Sequence, residues 1–388
     1  MKKIKLLLFL FFLSLISYSQ STEISIQLKD ATTNLPIEDA TVYIVKTKQN
    51  LLSNSRGIVT FSTNGPTNIT ISHTSYLPLT IRSTSLKEVQ NIILVTSNNT
   101  ELDEIIITKQ NPQKILKTVV KNSIEKLSTP ARLKVYSREF FKLNGTYSYY
   151  NDGLMNFQIS GKTKDFKTDI LVEQNRSFGL VENEVTDDLQ GYNLNNIMEN
   201  YYNFKYLYPI LDVKARKIYD FLIKGYASNP DYYQMKVTPL DDSKGLLDEF
   251  TILYDKKKKI IIEVSSTISP VSLSKSQNNK TEGTKNIYKS IFKTTYKLDS
   301  SNYYLLYSKE EIGFERIVKK KISEVEIRNY LLTTNFSTKK YSFKESDVFK
   351  DKALFNKKNV ILTDYWNVSG ITATDEEQKI IDEIKENN

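Results

Sequence analysis

The chain has 388 residues, a formal net charge of +9, no cysteine and a single histidine, His73. Without thiols it can form no disulfide, iron–sulfur cluster, thiolate metal site or cysteine nucleophile, nor the lipidated N-terminal cysteine of a bacterial lipoprotein. One imidazole also excludes the two-histidine zinc site of a carboxypeptidase.

Met1-Lys2-Lys3-Ile4-Lys5 precedes an apolar run over 6–13 that resumes at Leu15-Ile16, and Ser17-Tyr18-Ser19 follows. A basic start, a short apolar stretch and small residues at −3 and −1 predict a signal peptide over residues 1–19 and export of the rest. The run is shorter than the roughly 20 residues that cross a hydrocarbon core, which makes a retained single-span anchor the weaker alternative. Loss of Lys2, Lys3 and Lys5 takes the charge from +9 to +6. The remaining lysines are interspersed with acids, apart from the runs at 256–259 and 319–321, and do not form the one-sided basic face of a nucleic-acid reader. A mature chain of about 370 residues exceeds one typical core, so two or more domains are expected.

Residues 20–98 read as one small domain. Glu23 to Leu28 alternates polar and apolar, and further short strands are expected at 40–45, 58–61, 68–71, 78–81 and 91–95, with a tight turn at Ser55-Arg56-Gly57. The pattern Leu28-x-Asp30-x5-Pro36-Ile37-x2-Ala40-x-Val42, then Ser55-x-Gly57-x3-Phe61 and Ser72-His73-x2-Tyr76, resembles the carboxypeptidase-regulatory-like domain. That resemblance implies a transthyretin-like β-sandwich of the kind found at the N-terminus of TonB-dependent outer-membrane receptors and related envelope proteins. Leu35, and Ser75 where glycine often precedes the tyrosine, depart from the pattern.

Residues 99–130 link two domains. Leu102-Asp103-Glu104-Ile105-Ile106-Ile107-Thr108 resembles the LDEVVV segment that follows the domain in those receptors, and its β-branched run predicts a strand. Only about 280 residues follow, without the repeated ten-residue strands and aromatic girdles of a membrane barrel. Over 111–128, Asn111 as cap and Pro112 in the first turn predict a helix. Ile115, Leu116, Val119, Val120, Ile124 and Leu127 form its single apolar stripe, suited to packing on a sheet, with an interfacial membrane role as the alternative.

Residues 131–345 are expected to form a larger β-rich domain. Strands at 135–143 and 146–160 flank Asn144-Gly145, a strong hairpin signal. Helical spacing appears over 194–204 before Pro209. Alternating runs follow at Tyr219-Phe221-Ile223, Tyr233-Met235-Val237, 249–254, 260–266, 287–296, 303–310 and 322–333. With its strand ending in Val237-Thr238-Pro239 and its lysine-rich turn at 256–259, the region resembles the C-terminal parts of envelope proteins that carry the regulatory-like domain. It also resembles the curved antiparallel sheet, or half-barrel, of periplasmic lipoprotein carriers, which implies an apolar groove. The tail, 346–388, holds the only tryptophan, Trp366, read as an anchor, and a short helix with Thr374 and Glu377 as a capping box and Ile380, Ile381 and Ile384 on one face.

The sequence offers no catalytic, cofactor-binding or metal-ligating residues. His73 beside Ser72 lacks the glycines of a nucleophile elbow. The adjacent acids Asp187-Asp188, Asp241-Asp242 and Glu310-Glu311 would point to opposite faces of a strand, and the turn at 30–34 lacks calcium-loop spacing. The expected role is therefore non-catalytic: binding or scaffolding in the periplasm or at the periplasmic face of the outer membrane. The expected ligand is a lipid or glycan, the expected partner an outer-membrane or periplasmic protein, with no nucleic acid and no transmembrane helix in the mature chain. Two alternatives stand beside it, a hydrolase of glycan or peptide that uses carboxylates alone and a structural partner of an outer-membrane transporter.

Overall fold

Alternation in the first expected strand places Ile24, Ile26 and Leu28 on one side, and all three are buried. In a computed structural model, which describes residues 22–87, 91–98, 104–179, 193–276, 285–318, 320–339, 342–362 and 370–386, this strand is β1 (Thr22–Asp30). The signal segment, Asp187-Asp188 and Trp366 lie outside the described residues. β2 (Thr41–Ile44), β3 (Gln49–Leu52), β4 (Ile58–Thr63), β5 (Asn68–His73), β6 (Tyr76–Arg82) and β7 (Asn91–Val95) complete two small sheets, ordered β4-β1-β7 and β3-β2-β5-β6. Their facing residues, among them Val42, Ile44, Phe61, Ile69 and Ile71, share one core with the β1 trio. Gly57, at φ +73°, is required where it stands: a Cβ there would lie 2.4 Å from the Leu28 carbonyl oxygen. The short strand β3 was not expected, because Gln-Asn-Leu-Leu does not alternate; all four of its residues are buried.

A third sheet, of ten strands, follows. β8 (Ala131–Leu143), β9 (Thr146–Ser160) and β10 (Lys167–Gly179) form one antiparallel meander. A second meander comprises β11 (Tyr219–Gly225), β12 (Tyr232–Pro239), β13 (Asp248–Asp255), β14 (Ile260–Ile268), β15 (Lys285–Asp299), β16 (Asn302–Val318) and β17 (Lys321–Ser337). β17 pairs with β8 and joins the two, so the order is β10-β9-β8-β17-β16-β15-β14-β13-β12-β11, antiparallel throughout. Asn144 and Gly145 both adopt positive φ in the β8–β9 turn, as a tight hairpin requires.

The sheet does not close into a barrel, and each edge is covered by a short segment. At β11, Ile106 donates its N–H to Ile223 and Gly225 donates to Glu104. Here the expectation of a strand at 105–107 needs correction: only an isolated bridge, Ile105 to Lys224, forms, and Ile107 is 94% exposed. The isoleucines follow an edge without sheet on their far side. At β10, Phe349 donates to Ile170, and Asn175 bridges Val360. These covers block the unpaired backbone groups that invite edge-to-edge association.

Five α-helices among the described residues pack on this frame. α1 (Pro112–Lys126) starts where Asn111 accepts the Gln113 N–H at 3.0 Å and lies against β14. α2 (Leu194–Tyr202) buries Leu194, Ile197, Met198, Tyr201 and Tyr202, and the short α3 (Tyr208–Leu211) follows it. α4 (Pro270–Ser276) caps the turn after β14. α5 (Asp375–Glu386) has the expected reciprocal box: Thr374 N–H to Glu377 Oε2 at 2.9 Å and Glu377 N–H to Thr374 Oγ1 at 3.1 Å. No described helix is long and apolar enough to cross a membrane.

Candidate functional site

Successive residues of a strand face opposite ways, and the ten-stranded sheet uses its two faces differently. One face carries α1, α2 and α3. Leu133, Val135, Met155, Phe157, Val264 and Leu331 meet Leu116, Val119, Ile197 and Met198 there in one core. Tyr201 stacks on Phe292 with rings 6.3 Å apart and 9° from parallel, and its hydroxyl bonds to Ser308.

A polar row crosses this same face. Register sets Asn151 opposite Glu139, Glu139 opposite Asn329, and Asn329 opposite Glu310. Directly opposed residues share a face, so Glu139 and Glu310 flank Asn329 two strands apart, about 10 Å between their Cα atoms. Both residues are half-buried. Burial pushes the Glu139 carboxyl up to about 8 and the Glu310 carboxyl up to about 7. Glu311, one residue on, faces the other way. Burial raises it too, but Lys289 at 2.7 Å and Lys309 at 3.3 Å hold it below the usual carboxylate range. The expected opposite orientation of Glu310 and Glu311 is therefore observed. Asp241-Asp242, by contrast, lies in the turn after β12 rather than in a strand.

The other face carries charge in ladders. Arg176 forks onto Asp152 at 2.7 and 2.8 Å, and the same carboxylate accepts from Tyr150 at 2.6 Å and Tyr136 at 3.1 Å. Arg138 donates to the Tyr136 hydroxyl at 2.9 Å and to the Ile371 carbonyl at 2.6 Å, with Glu377 at 3.6 Å. Residues 370–374 and α5 thus lie across this cluster. Ile380, Ile381 and Ile384 bury themselves on Phe140 and Tyr150, and Gly370 passes so near Tyr136 that a Cβ would meet the ring at 2.4 Å.

The N-terminal sheets dock on this face beside the tail. Leu52 joins Tyr136, Leu154, Leu306, Tyr307, Leu332 and Ile371 in one cluster. Asn50 donates to the Thr333 carbonyl at 3.2 Å, and Lys293 reaches Asp39 at 3.0 Å. Between the docked sheets and strands β12 to β16 lies a cavity of about 400 Å³. Its walls include His73, Thr74 and Tyr76 on one side and Tyr232, Thr295 and Lys297 on the other.

His73, the one candidate nucleophile-activating group, ends β5. Its Nδ1 accepts the Ser75 N–H at 3.1 Å and its ring meets Tyr76 edge-on at 5.3 Å. Burial, then the nearby Lys293 charge, push the imidazole down to about 4. The nitrogen that a triad would give to an orienting carboxylate is thus committed to backbone, and Ser72 and His73 are consecutive residues at a bulge of β5 that both line the cavity. Asp30 is likewise local: its Oδ1 accepts from the Thr32 and Thr33 N–H groups at 2.8 and 2.7 Å. Among the described residues, no group of three or more His, Asp or Glu is placed to hold a metal ion.

Glu139 was not singled out from sequence, and Glu310 only as half of the Glu310-Glu311 pair, yet a signal existed for both. Leu133, Val135, Ser137, Glu139 and Phe141 alternate onto one face, as do Ser308, Glu310, Ile312 and Phe314. An acid in phase with apolar residues is one the strand must turn inward.

No family model matches this sequence, and no curated protein matches it. Among solved structures, the chain is similar to lipovitellin at TM-score 0.27 and 9% identity, over 56% of this chain and 26% of that one. It is also similar to a protein from Bacteroides fragilis described as membrane-associated and of unknown function, at TM-score 0.17 and 9% identity, over 81% and 98%. A third is MucB in complex with MucA(peri), at TM-score 0.19 and 8% identity, over 58% and 98%. The chain spans 26% of the lipovitellin chain's length, and likenesses this slight carry no argument about function.

Proposed function

We propose that this is a non-catalytic protein of a Gram-negative-type cell envelope, exported through the segment 1–19, with a binding or scaffold role. In this reading residues 20–98 are a transthyretin-like interaction module and residues 131–345 a half-barrel binding domain. The observation that carries it is the fixed seating of the smaller sheets and the tail on one face of the larger sheet, which leaves the helix-bearing face as the place for a ligand. The apolar interior between α2 and the sheet would take an acyl chain once Tyr201 lifts from Phe292. A protein partner in the outer membrane or periplasm, a transporter included, would engage the N-terminal module.

Lipid extraction from natively purified protein, read by mass spectrometry, tests the groove. A stoichiometric acyl lipid is expected, and repeated recovery of none would remove this part of the reading. Co-purification from envelope membranes tests the partner.

One observation favours a second reading. Glu139 and Glu310 share a face, and burial raises both carboxyls toward neutral pH, the pattern expected of a general acid. A carboxylate-dependent hydrolase of glycan or peptide would use them. Glu139→Gln separates the readings: under this one, turnover of a glycan or peptide substrate disappears while the fold and any bound lipid remain.

A further inference from the structure

The cavity between the N-terminal sheets and the ten-stranded sheet has a wall whose charges, Lys297 apart, are paired with one another. Asp39 and Glu263 both face Lys293, at 3.0 and 3.7 Å. Lys258 faces Asp255 at 3.7 Å. Lys297 donates to the Asn50 side-chain oxygen at 2.7 Å and lies over the Tyr43 ring, 3.9 Å from its centre. An anionic ligand would find one cation without a carboxylate partner, Lys297, and would have to draw it from the Asn50 oxygen and the Tyr43 ring. The acids of the wall already face lysines, so a zwitterion finds no free anion.

Neutral groups supply the remaining polarity. Because His73 Nδ1 accepts from Ser75, the ring proton sits on Nε2, which is left to donate. Thr74, Asn229 and Tyr232 line the same space. Leu298, Leu306, Pro78 and the ring of Tyr76 supply apolar surface between them. An acyl chain would strand these donors without partners, at about 1–3 kcal/mol for each buried polar group. A molecule with hydroxyls around its rim and C–H surface on its faces satisfies both sets. The volume, about 400 Å³, lies within the range of small-molecule sites.

We propose that this cavity is a binding site for a neutral saccharide of one or two rings, formed by the N-terminal sheets and the ten-stranded sheet together. The proposal rests on the binding reading above but places a second ligand at a different site from the acyl groove. Docking and saccharide binding are coupled, because neither wall alone encloses the sugar.

The single histidine makes the test direct. In the full chain labelled with 15N-histidine, glucose, galactose, N-acetylglucosamine, cellobiose and chitobiose are titrated while the one imidazole is followed by NMR. At least one sugar is expected to move that resonance saturably in the millimolar range or below. Ser72→Trp, which adds bulk from an exposed position on the cavity wall, is expected to weaken binding tenfold or more. Tyr232→Phe, which removes one hydroxyl without changing the ring, keeps the test valid where the tryptophan disturbs folding and is expected to weaken binding several-fold. Silence of the imidazole across all five sugars overturns the proposal, as does binding that neither variant weakens. Either failure leaves the lipid and partner experiments untouched, so loss of this site and loss of the broader binding reading are separately visible.

Discussion

The two faces of the ten-stranded sheet solve the same problem in opposite ways. Both bury ionisable side chains. On the docking face Asp152 is fully buried, yet two arginines and two tyrosines surround it, and each charge in the cluster meets a complement. On the helix-bearing face Glu139 and Glu310 have two amides and a ring opposite them across the strands, and burial raises their carboxyls toward neutral pH instead. A buried acid can be neutralised by a partner or by a proton. The first choice builds a rigid joint, and the second leaves a group whose state depends on its surroundings.

The sharpest way to break this contrast is Asp152→Ala. It leaves Arg176 without its carboxylate and the Tyr136 and Tyr150 hydroxyls without their acceptor, and uncompensated buried charge costs about 3–5 kcal/mol. Urea unfolding followed by tyrosine fluorescence is expected to show that loss, and a change below about 1 kcal/mol would mean the cluster is not the joint described. Ile381→Ala comes next. It empties a buried position between α5 and the sheet and is expected to cost about 2–4 kcal/mol. Proteolysis of the tail should speed up in step.

Much of this architecture was readable in advance. The alternation of Ile24, Ile26 and Leu28, the Asn144-Gly145 hairpin, the Asn111 cap and the Thr374–Glu377 box all state their geometry within a few residues. Helix α5 was legible down to which three isoleucines it buries. What escaped is what distant chain segments decide. β3 is a strand because its Leu52 packs against Tyr136 and Ile371, and nothing within Gln49–Leu52 says so. β10 was also missed, since the Val172–Gln174 bulge breaks its alternation. The site was less legible still. Glu139 and Glu310 become neighbours only through the β17–β8 pairing, which joins residues nearly two hundred positions apart in sequence. The cavity around His73 exists only because two separate sheets dock.

A pH series sharpens the same contrast. For Glu139 the folded-state carboxyl is raised to about 8 from the usual 4.5. Its stabilising contribution is therefore complete below pH 4.5 and is lost as pH rises through about 8, because folding must then bury a charge or hold a proton against solvent. Glu310 behaves alike with its end point near 7. Glu139→Gln removes the titration. The variant is expected to match the parent near pH 5 and exceed it by about 1–2 kcal/mol near pH 8, after allowance for the part of the carboxyl that water still reaches. Identical pH profiles for parent and variant would show that Glu139 is solvated like any surface acid.

The smallest effect is the most discriminating for the tail. Arg56 in the N-terminal sheets pairs with Asp375 at the start of α5, a contact that looks like a clasp between tail and module. Both side chains are largely exposed, 49% and 88%, and exposed pairs contribute little once solvent and side-chain entropy are counted. Asp375→Asn is expected to change stability by less than about 0.5 kcal/mol, with tail proteolysis unchanged, whereas Ile381→Ala opens the tail. Were Asp375→Asn to release the tail as readily as Ile381→Ala, the clasp would be ionic, and rising salt would loosen it; resistance to salt is the expected result, because the anchor of α5 is apolar.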